Sequence, residues 1–358
     1  ADVKGAVVTL YQNVDATISS SISINGVMIL DLNDHSFNII NSSTTSNEVF
    51  SVKKDASFSI VGADKTKSVL SVKTNAVYGE NYGSSWVGKK ATAMTVISAA
   101  ENASIIVDGV TYKVDATALF PMKNASEATI RNSVVEASAY VVGTNNAVAG
   151  NQATIVITVE NSSIKAEETA VCINAAGVRA NITDNSIVEG GRHAVMVRDG
   201  TATITNSTLI SDNGSFEAAT WSSGNDVTPA TVFVGNKGSS AYSGIAKLEM
   251  SGGSIIAKSG NAVATTEYES TAMSVEGKTY SAGQTQVDVV IGKDSPTTIS
   301  CGPEDSAATV KVSGLTYKAT EEDSNIAPLM VSKGSVEISG TIDEMQILDG
   351  EVVVPAGK

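Results

Sequence analysis

Apolar and polar residues alternate along most of this chain, in short segments that end in polar turns. Examples are IVITVE from Ile155, RANITD from Arg179 and TATIT from Thr201. Alternation with a period of two predicts β-strands, and no stretch keeps apolar residues at positions i, i+3, i+4 and i+7 over three turns. The pattern therefore predicts an all-β protein in which any helices are few and short.

An asparagine-serine step follows several of these segments and recurs along the chain. The aligned repeats are NSVVEA from Asn132, NSSIKA from Asn161, NSIVEG from Asn185, NSTLIS from Asn206 and the looser GSIIAK from Gly253. The intervals between them are 29, 24, 21 and 47 residues, and the last is close to two of the shorter ones. Such a period is the sequence signature of a solenoid.

The repeat predicts a parallel β-helix, in which each strand pairs with its equivalent in the next coil at a spacing of about 4.8 Å. Ladders of Val, Ile, Leu and Ala are expected to fill the interior, with Ile204 pointing inward. Asparagine tolerates a left-handed backbone and its amide can satisfy turn groups, so the asparagine-serine step is interpreted as architecture rather than chemistry. Asn206 is expected to belong to a ladder of stacked asparagines.

The segment SISINGVMILDLNDHSFNII contains a phrase known from other proteins. Its core ILDLNDHSFNI resembles the LDLNGHTI phrase that opens many right-handed parallel β-helix regions of secreted and cell-surface bacterial proteins, within the pectin-lyase-like class. Asp31, Asn33, His35 and Ile39 match the phrase, whereas Asp34 stands where glycine is usual. The resemblance implies a right-handed parallel β-helix in an exported bacterial protein, at the cell surface or outside the cell.

We predict a single domain. Residues 1–40 are expected to form a short N-terminal cap and the first coil, and residues 41–358 a β-helix continuous with it. The repeat interval predicts roughly a dozen coils. The chain begins ADVKGAVVTL, without a signal segment. We expect it to be a monomer.

Charge and cysteine content exclude several classes of partner. The chain of 358 residues has a formal charge of −14 and a pI near 4.6, without a dense run of Lys or Arg, so neither nucleic acid nor an anionic membrane is an expected partner. Its apolar runs are far shorter than the roughly 20 residues that span a bilayer. Cys172 and Cys301 have no nearby cysteine or histidine partner and are interpreted as small buried apolar residues. No motif specifies a metal or a cofactor, and we expect neither.

The densest group of reactive side chains lies in DNSIVEGGRHAVMVRDG, which contains Arg192, His193, Arg198 and Asp199. Enzymes that depolymerise acidic polysaccharides use basic side chains to bind the uronate or to take a proton, or use paired carboxylates as acid and base. These four residues are therefore the candidate catalytic residues. The competing interpretation, which we favour, is a Gly-Gly turn leading into the strand HAVMV with His193 at its edge.

Two longer segments interrupt the repeat and carry both tryptophans of the chain, VYGENYGSSWVGKKATAMTVIS and GSFEAATWSSGNDVTPATVFVG. Aromatic faces beside Asn, Asp and Ser can stack on sugar rings while the polar groups bind hydroxyls. This predicts Tyr82, Trp86, Trp221 and Tyr242 as ligand-binding residues. The alternative is that these rings fold inward and close the loops over the side of the solenoid.

The resemblance leaves the function open, because the pectin-lyase-like class includes lyases and hydrolases as well as non-enzymatic adhesins, stalks and passenger domains. The dense architectural repeat and the scarcity of convergent titratable groups favour a non-catalytic, adhesin-like or stalk module at the cell surface. Its expected partner is a polysaccharide or a host surface glycoprotein. A polysaccharide lyase or glycoside hydrolase acting on acidic polysaccharide is the first alternative, and a purely structural spacer is the second.

Overall fold

The computed structural model describes residues 5–76, 95–121, 125–144, 154–217, 227–235 and 246–259, and beyond them the strands given below. Within these residues the protein is all-β, as the alternating pattern predicts. They offer no helical segment with the length and apolar character that a membrane crossing requires.

The first twenty-four strands make up most of the solenoid. In chain order they are β1 (Ala6–Thr9), β2 (Val14–Ile18), β3 (Ile22–Ile24), β4 (Val27–Asp31), β5 (Ser36–Asn41), β6 (Phe50–Val52), β7 (Ser57–Val61), β8 (Val69–Thr74), β9 (Thr95–Ala99), β10 (Ser104–Asp108), β11 (Thr111–Val114), β12 (Thr117–Pro121), β13 (Glu127–Arg131), β14 (Val134–Ala137), β15 (Tyr140–Gly143), β16 (Val156–Glu160), β17 (Ser163–Ala166), β18 (Thr169–Thr183), β19 (Ile187–Gly190), β20 (His193–Asp212), β21 (Val232–Val234), β22 (Ala246–Ser259), β23 (Val263–Thr265) and β24 (Thr271–Val275).

The remaining strands are described by their backbone. They are β25 (Ser281–Ala282), β26 (Val287–Ile291), β27 (Thr297–Cys301), β28 (Val310–Ser313), β29 (Leu315–Ala319), β30 (Leu329–Lys333), β31 (Ser335–Ile338), β32 (Met345–Ile347) and β33 (Glu351–Val353). Two further parallel series, β26-β29-β31-β33 and β28-β30-β32, occur among them.

Strands stack in three parallel ladders, one on each side of the coil. Ladder A runs through β1, β4, β7, β10, β13 and β16, ladder B through β2, β5, β8, β11, β14, β17 and β19, and ladder C through β3, β6, β9, β12 and β15. The long strands β18, β20 and β22 pass around corners and serve more than one ladder, and β21 and β23 extend ladder C. The predicted right-handed parallel β-helix is therefore confirmed.

The beginning of the chain follows the same ladders, since β1 pairs with β4 and β2 with β5. The turn within the ILDLNDHSFNI segment connects ladder A to ladder B. Asn33 and Asp34 both have left-handed backbones there, with φ of 46° and 59°. Asp34 thus adopts a left-handed backbone that glycine accepts freely, and the side-chain amide of Asn33 donates to the Leu10 carbonyl at 2.9 Å.

The core lies inside the coil, where equivalent residues stack in register. One column of ladder A consists of Leu30, Ile60, Val107, Ile130, Val159, Ile182 and Ile204, each at most 2% exposed. Ile204 is inward, as the alternation predicts. Small and β-branched side chains suit this interior, because they fill a narrow coil without forcing its walls apart.

The asparagine-serine step forms the corner between ladders A and B. Asn132, Asn161, Asn185 and Asn206 all have left-handed backbones, with φ between 45° and 58°. Gly253, which the sequence repeat aligned with Asn206, pairs instead with Ser207, so that alignment is wrong by one residue, although Gly253 is also left-handed with a φ of 89°. The Asn161 amide donates to Asn132 Oδ1 at 2.9 Å, one coil away. The interpretation of this motif as a turn, with asparagines in a ladder, is confirmed.

The serine of the same step is buried and links neighbouring coils. Ser133, Ser162 and Ser186 each accept a backbone N–H from the preceding coil, at 3.1–3.3 Å. Each hydroxyl also donates to a carbonyl of its own coil, at 2.6–2.7 Å. The repeated serine therefore satisfies a buried backbone donor that would otherwise have no partner at the corner.

The left-handed corner gives a direct test of the architectural role. Replacing Asn161 by alanine is expected to lower the free energy of unfolding by about 1–2 kcal/mol, because a Cβ-bearing residue without a compensating polar group is strained at a φ of 45°. Asn161→Gly is the matched control and should lose less, since glycine accepts this backbone freely. Chemical denaturation measures both, and equal losses would contradict the backbone explanation.

Candidate functional site

The predicted catalytic cluster begins at the corner between ladders B and C. Arg192 Nε donates to Glu168 Oε2 at 3.1 Å, and its Nη1 donates to the Glu217 carbonyl at 2.8 Å. The guanidinium carbon also lies 4.9 Å from the centroid of the Phe216 ring. Arg192 is therefore held by an ion pair, a backbone carbonyl and an aromatic face, all outside its own coil.

His193 begins β20 and is fully buried. Its Nδ1 lies 2.8 Å from the Ala230 carbonyl oxygen, and its ring centroid lies 5.8 Å from that of Phe233. The pKa of His193 is lowered from 6.5 to about 3, mainly by burial and to a smaller extent by the charges of Arg192 and Arg198, whereas the bond to Ala230 acts in the opposite direction. The buried imidazole is thus neutral at physiological pH.

Arg198 and Asp199 lie at the other end of this part of β20 and are also buried. The guanidinium carbon of Arg198 is 5.7 Å from the Phe233 centroid, so His193 and Arg198 contact the same ring. Asp199 Oδ1 accepts the backbone N–H of Gly200 at 2.9 Å. The four candidates therefore divide between two corners of the coil, with Phe233 between His193 and Arg198.

An outer apolar layer covers this part of ladder C. Its buried members are Cys172, Met196, Val227, Ala230, Phe233 and Ala264, and Tyr140 packs against them. Cys172, Met196, Phe233 and Ala264 stack in register on the outer face, whereas Val227 and Ala230 belong to the connection between β20 and β21. Cys172 is a buried cysteine, as predicted. The side chain of Cys301 lies outside the described residues.

Asp199 lines a pocket at the corner between ladders C and A, with a volume of about 310 Å³. Arg179, Thr201 and Lys247 pair in register in three successive coils and also line it. Two basic side chains on either side of a hydroxyl can bind a carboxylate or a sulfate by charge-assisted hydrogen bonds. Lys247 also forms an ion pair with Glu249 at 2.6 Å.

A groove of about 330 Å³ runs along the outer face of ladder B. One wall is a column of residues that pair in register, Ser71, Lys113, Glu136 and Lys165. Glu189 continues this column in the next coil, so the charge alternates in sign from Lys113 onward. Lys113 pairs with Glu136 at 3.1 Å, and Lys165 with Glu189 at 3.0 Å. The second wall consists of Lys73, Asp115, Ser138 and Glu167, and the lining between the walls includes Val72, Val114 and Ala137.

Sequence reasoning missed both of these sites, although the aligned repeats contain a signal for the groove. The fifth residue of NSVVEA, NSSIKA and NSIVEG is Glu136, Lys165 and Glu189, so the charge alternates in sign along one column. Opposite charges on paired positions of neighbouring strands stabilise the register. The pocket at Asp199 has no such signal, because its lining residues lie at different offsets from the asparagine-serine step.

The predicted ligand-binding residues Tyr82, Trp86, Trp221 and Tyr242 lie outside the described residues. The two tryptophans belong to the connections from β8 to β9 and from β20 to β21, which both lead from ladder B to ladder C.

Within the described residues, no group of three or more His, Cys, Asp or Glu side chains is placed to hold a metal ion. Comparisons with models of known families, with curated proteins and with solved structures found no match.

Proposed function

We propose that this protein is an exported, surface-associated module without catalytic activity, which presents its side surfaces to polysaccharides or to host surface glycoproteins. The observation that carries the proposal is the burial of His193, the best candidate for proton transfer, beneath Phe233 and Ala230. A general acid or base must reach its substrate directly or through one water molecule.

The use of the polar residues supports the same proposal. Asparagine and serine of the repeated step are engaged in turns and in hydrogen bonds between coils. The described surface also carries two polar concave features, the ladder B groove and the pocket at Asp199. A rigid coil of this kind places such surface features at regular spacing, which suits recognition of an extended polymer. The resemblance of the ILDLNDHSFNI phrase supports export and a bacterial surface.

A second candidate function is an enzyme acting on acidic polysaccharide. The specific observation in its favour is the pocket that combines Asp199 with Arg179 and Lys247. Basic side chains would bind the uronate carboxylate, and the carboxyl group of Asp199 would be the acid or base. A purely structural spacer is a third possibility, and it predicts neither binding nor cleavage.

A glycan-array and depolymerisation screen on the full chain separates these functions. We expect binding without cleavage, and we expect Trp86→Ala or Trp221→Ala to reduce that binding at least about tenfold, because stacking on a sugar ring is a large part of such affinity. Tyr11→Ala is the matched control, since Tyr11 is exposed in the first coil, far from both tryptophan-bearing connections along the chain. Chain cleavage that is abolished in Arg192→Ala or Asp199→Asn would overturn the proposal in favour of the enzyme.

A further inference from the structure

The groove on ladder B carries a more specific inference, which rests on the proposed glycan-binding function. We infer that it binds an uncharged, hydroxyl-rich linear glycan whose chain runs parallel to the axis of the solenoid. The direction follows from the lining, because equivalent positions of four successive coils supply each wall.

The charge of the groove favours a neutral ligand. Three ammonium groups line it, from Lys73, Lys113 and Lys165. Three carboxylates line it as well, from Asp115, Glu136 and Glu167. These charges cancel, while the chain as a whole carries −14. An anionic polymer would therefore gain no net local attraction and would meet long-range repulsion, whereas an uncharged polymer meets neither.

One wall of the groove has polar groups available for a ligand. Within the part of the chain that the structure describes, the side chains of Lys73 and Glu167 are exposed and form no ion pair or hydrogen bond. Ser138, which also lines the groove, has a buried Oγ without a hydrogen-bond partner. On the opposite wall the charged groups already have partners, because Lys113 forms an ion pair with Glu136 and Lys165 forms one with Glu189.

These available groups match the chemistry of sugars. Lys73 donates hydrogen bonds and Glu167 accepts them, and sugar hydroxyls do both. The two residues are three coils apart, which is about 14 Å at the spacing of paired strands. A linear glycan of several residues can therefore reach both ends of the wall.

The inference is tested by calorimetric titration of the full chain with neutral linear hexasaccharides of glucose, mannose and xylose, and with a hexagalacturonate. We expect at least one neutral hexasaccharide to bind with little dependence on salt, because no net charge is neutralised. Glu167→Gln and Lys73→Met should each weaken that binding about tenfold. The matched controls are Glu127→Gln and Lys65→Met, which make the same charge changes at exposed sites that do not line the groove, and should bind like the parent chain.

Three outcomes of these experiments would contradict the assignment of a neutral glycan to the groove. If hexagalacturonate binds and Glu167→Gln strengthens it, the ligand is anionic and the inference is wrong. Unchanged binding of neutral glycans in both groove variants, together with a loss in Trp86→Ala, would place the ligand elsewhere and leave the proposed function standing. Absence of binding to every hexasaccharide, in a chain that still binds glycans on a wider array, would also overturn the groove assignment alone.

Discussion

Acidification from pH 6.5 to pH 3 is expected to destabilise this protein through His193, by about 1.4 kcal/mol for each pH unit. In the folded chain, burial lowers the pKa of His193 from 6.5 to about 3, so the imidazole stays neutral across this range. The unfolded chain takes up a proton below pH 6.5 and is stabilised relative to the folded chain. The contribution of His193 is therefore fully present above pH 6.5 and is lost progressively as the pH falls toward 3.

Denaturant unfolding at several pH values measures this loss as a difference between the parent chain and His193→Gln, because carboxylates titrate in both. The free energy of unfolding should fall with pH more steeply in the parent chain than in His193→Gln. The difference in slope should correspond to the uptake of about one proton on unfolding. His35→Gln is the control, since His35 is the second histidine of the chain and lies at a partly exposed turn. If His193→Gln fails to fold, NMR titration of the parent chain provides the test, and an imidazole that protonates near pH 6.5 in the folded state would contradict the expectation.

Truncation of Ile182 to alanine is the second large effect, with an expected loss of about 3 kcal/mol in the free energy of unfolding. Ile182 is completely buried and stacks between Val159 and Ile204, one coil to either side. The coils are held by parallel ladders of backbone hydrogen bonds, so they cannot close on the space that the missing atoms leave.

Asn181→Ala is the matched control, because Asn181 precedes Ile182 on the same strand and points to the opposite face. We expect it to change the free energy of unfolding by less than about 0.5 kcal/mol. Chemical denaturation followed by circular dichroism compares the two variants. Similar losses in both would mean that the strand is not oriented as the register with Ile204 requires.

Much of the fold was predictable because its constraints are local and repeat. A corner that needs a left-handed backbone selects asparagine or glycine, and this requirement produced the aligned steps at Asn132, Asn161 and Asn185. Inward and outward positions alternate within each strand, which assigned Ile204 to the interior. The pairing of strands then followed from matching equivalent positions of successive coils.

The candidate site was less predictable, since its properties come from residues far apart in the chain. The proximity of Arg192 and His193 in sequence suggested a shared site, but Arg192 is held by Glu168 and Phe216, whereas His193 is buried against Ala230. The cover over His193 comes from a connection that begins after β20 and has no repeat to align. The aromatic predictions at Trp86 and Trp221 stay predictions, and their test is the binding experiment given above.

By itself, the sequence determined that this protein is a coil of short parallel strands with left-handed asparagine corners and an aliphatic interior. Period-two alternation and the repeated need for a left-handed backbone at the corner are local properties, so they can be recognised within the sequence of a single coil. Only the tertiary structure decided which polar groups remain available, because that depends on partners in other coils. Stacking pairs Lys113 with Glu136 and leaves Lys73 and Glu167 exposed along one wall of a groove, and it buries His193 beneath Phe233.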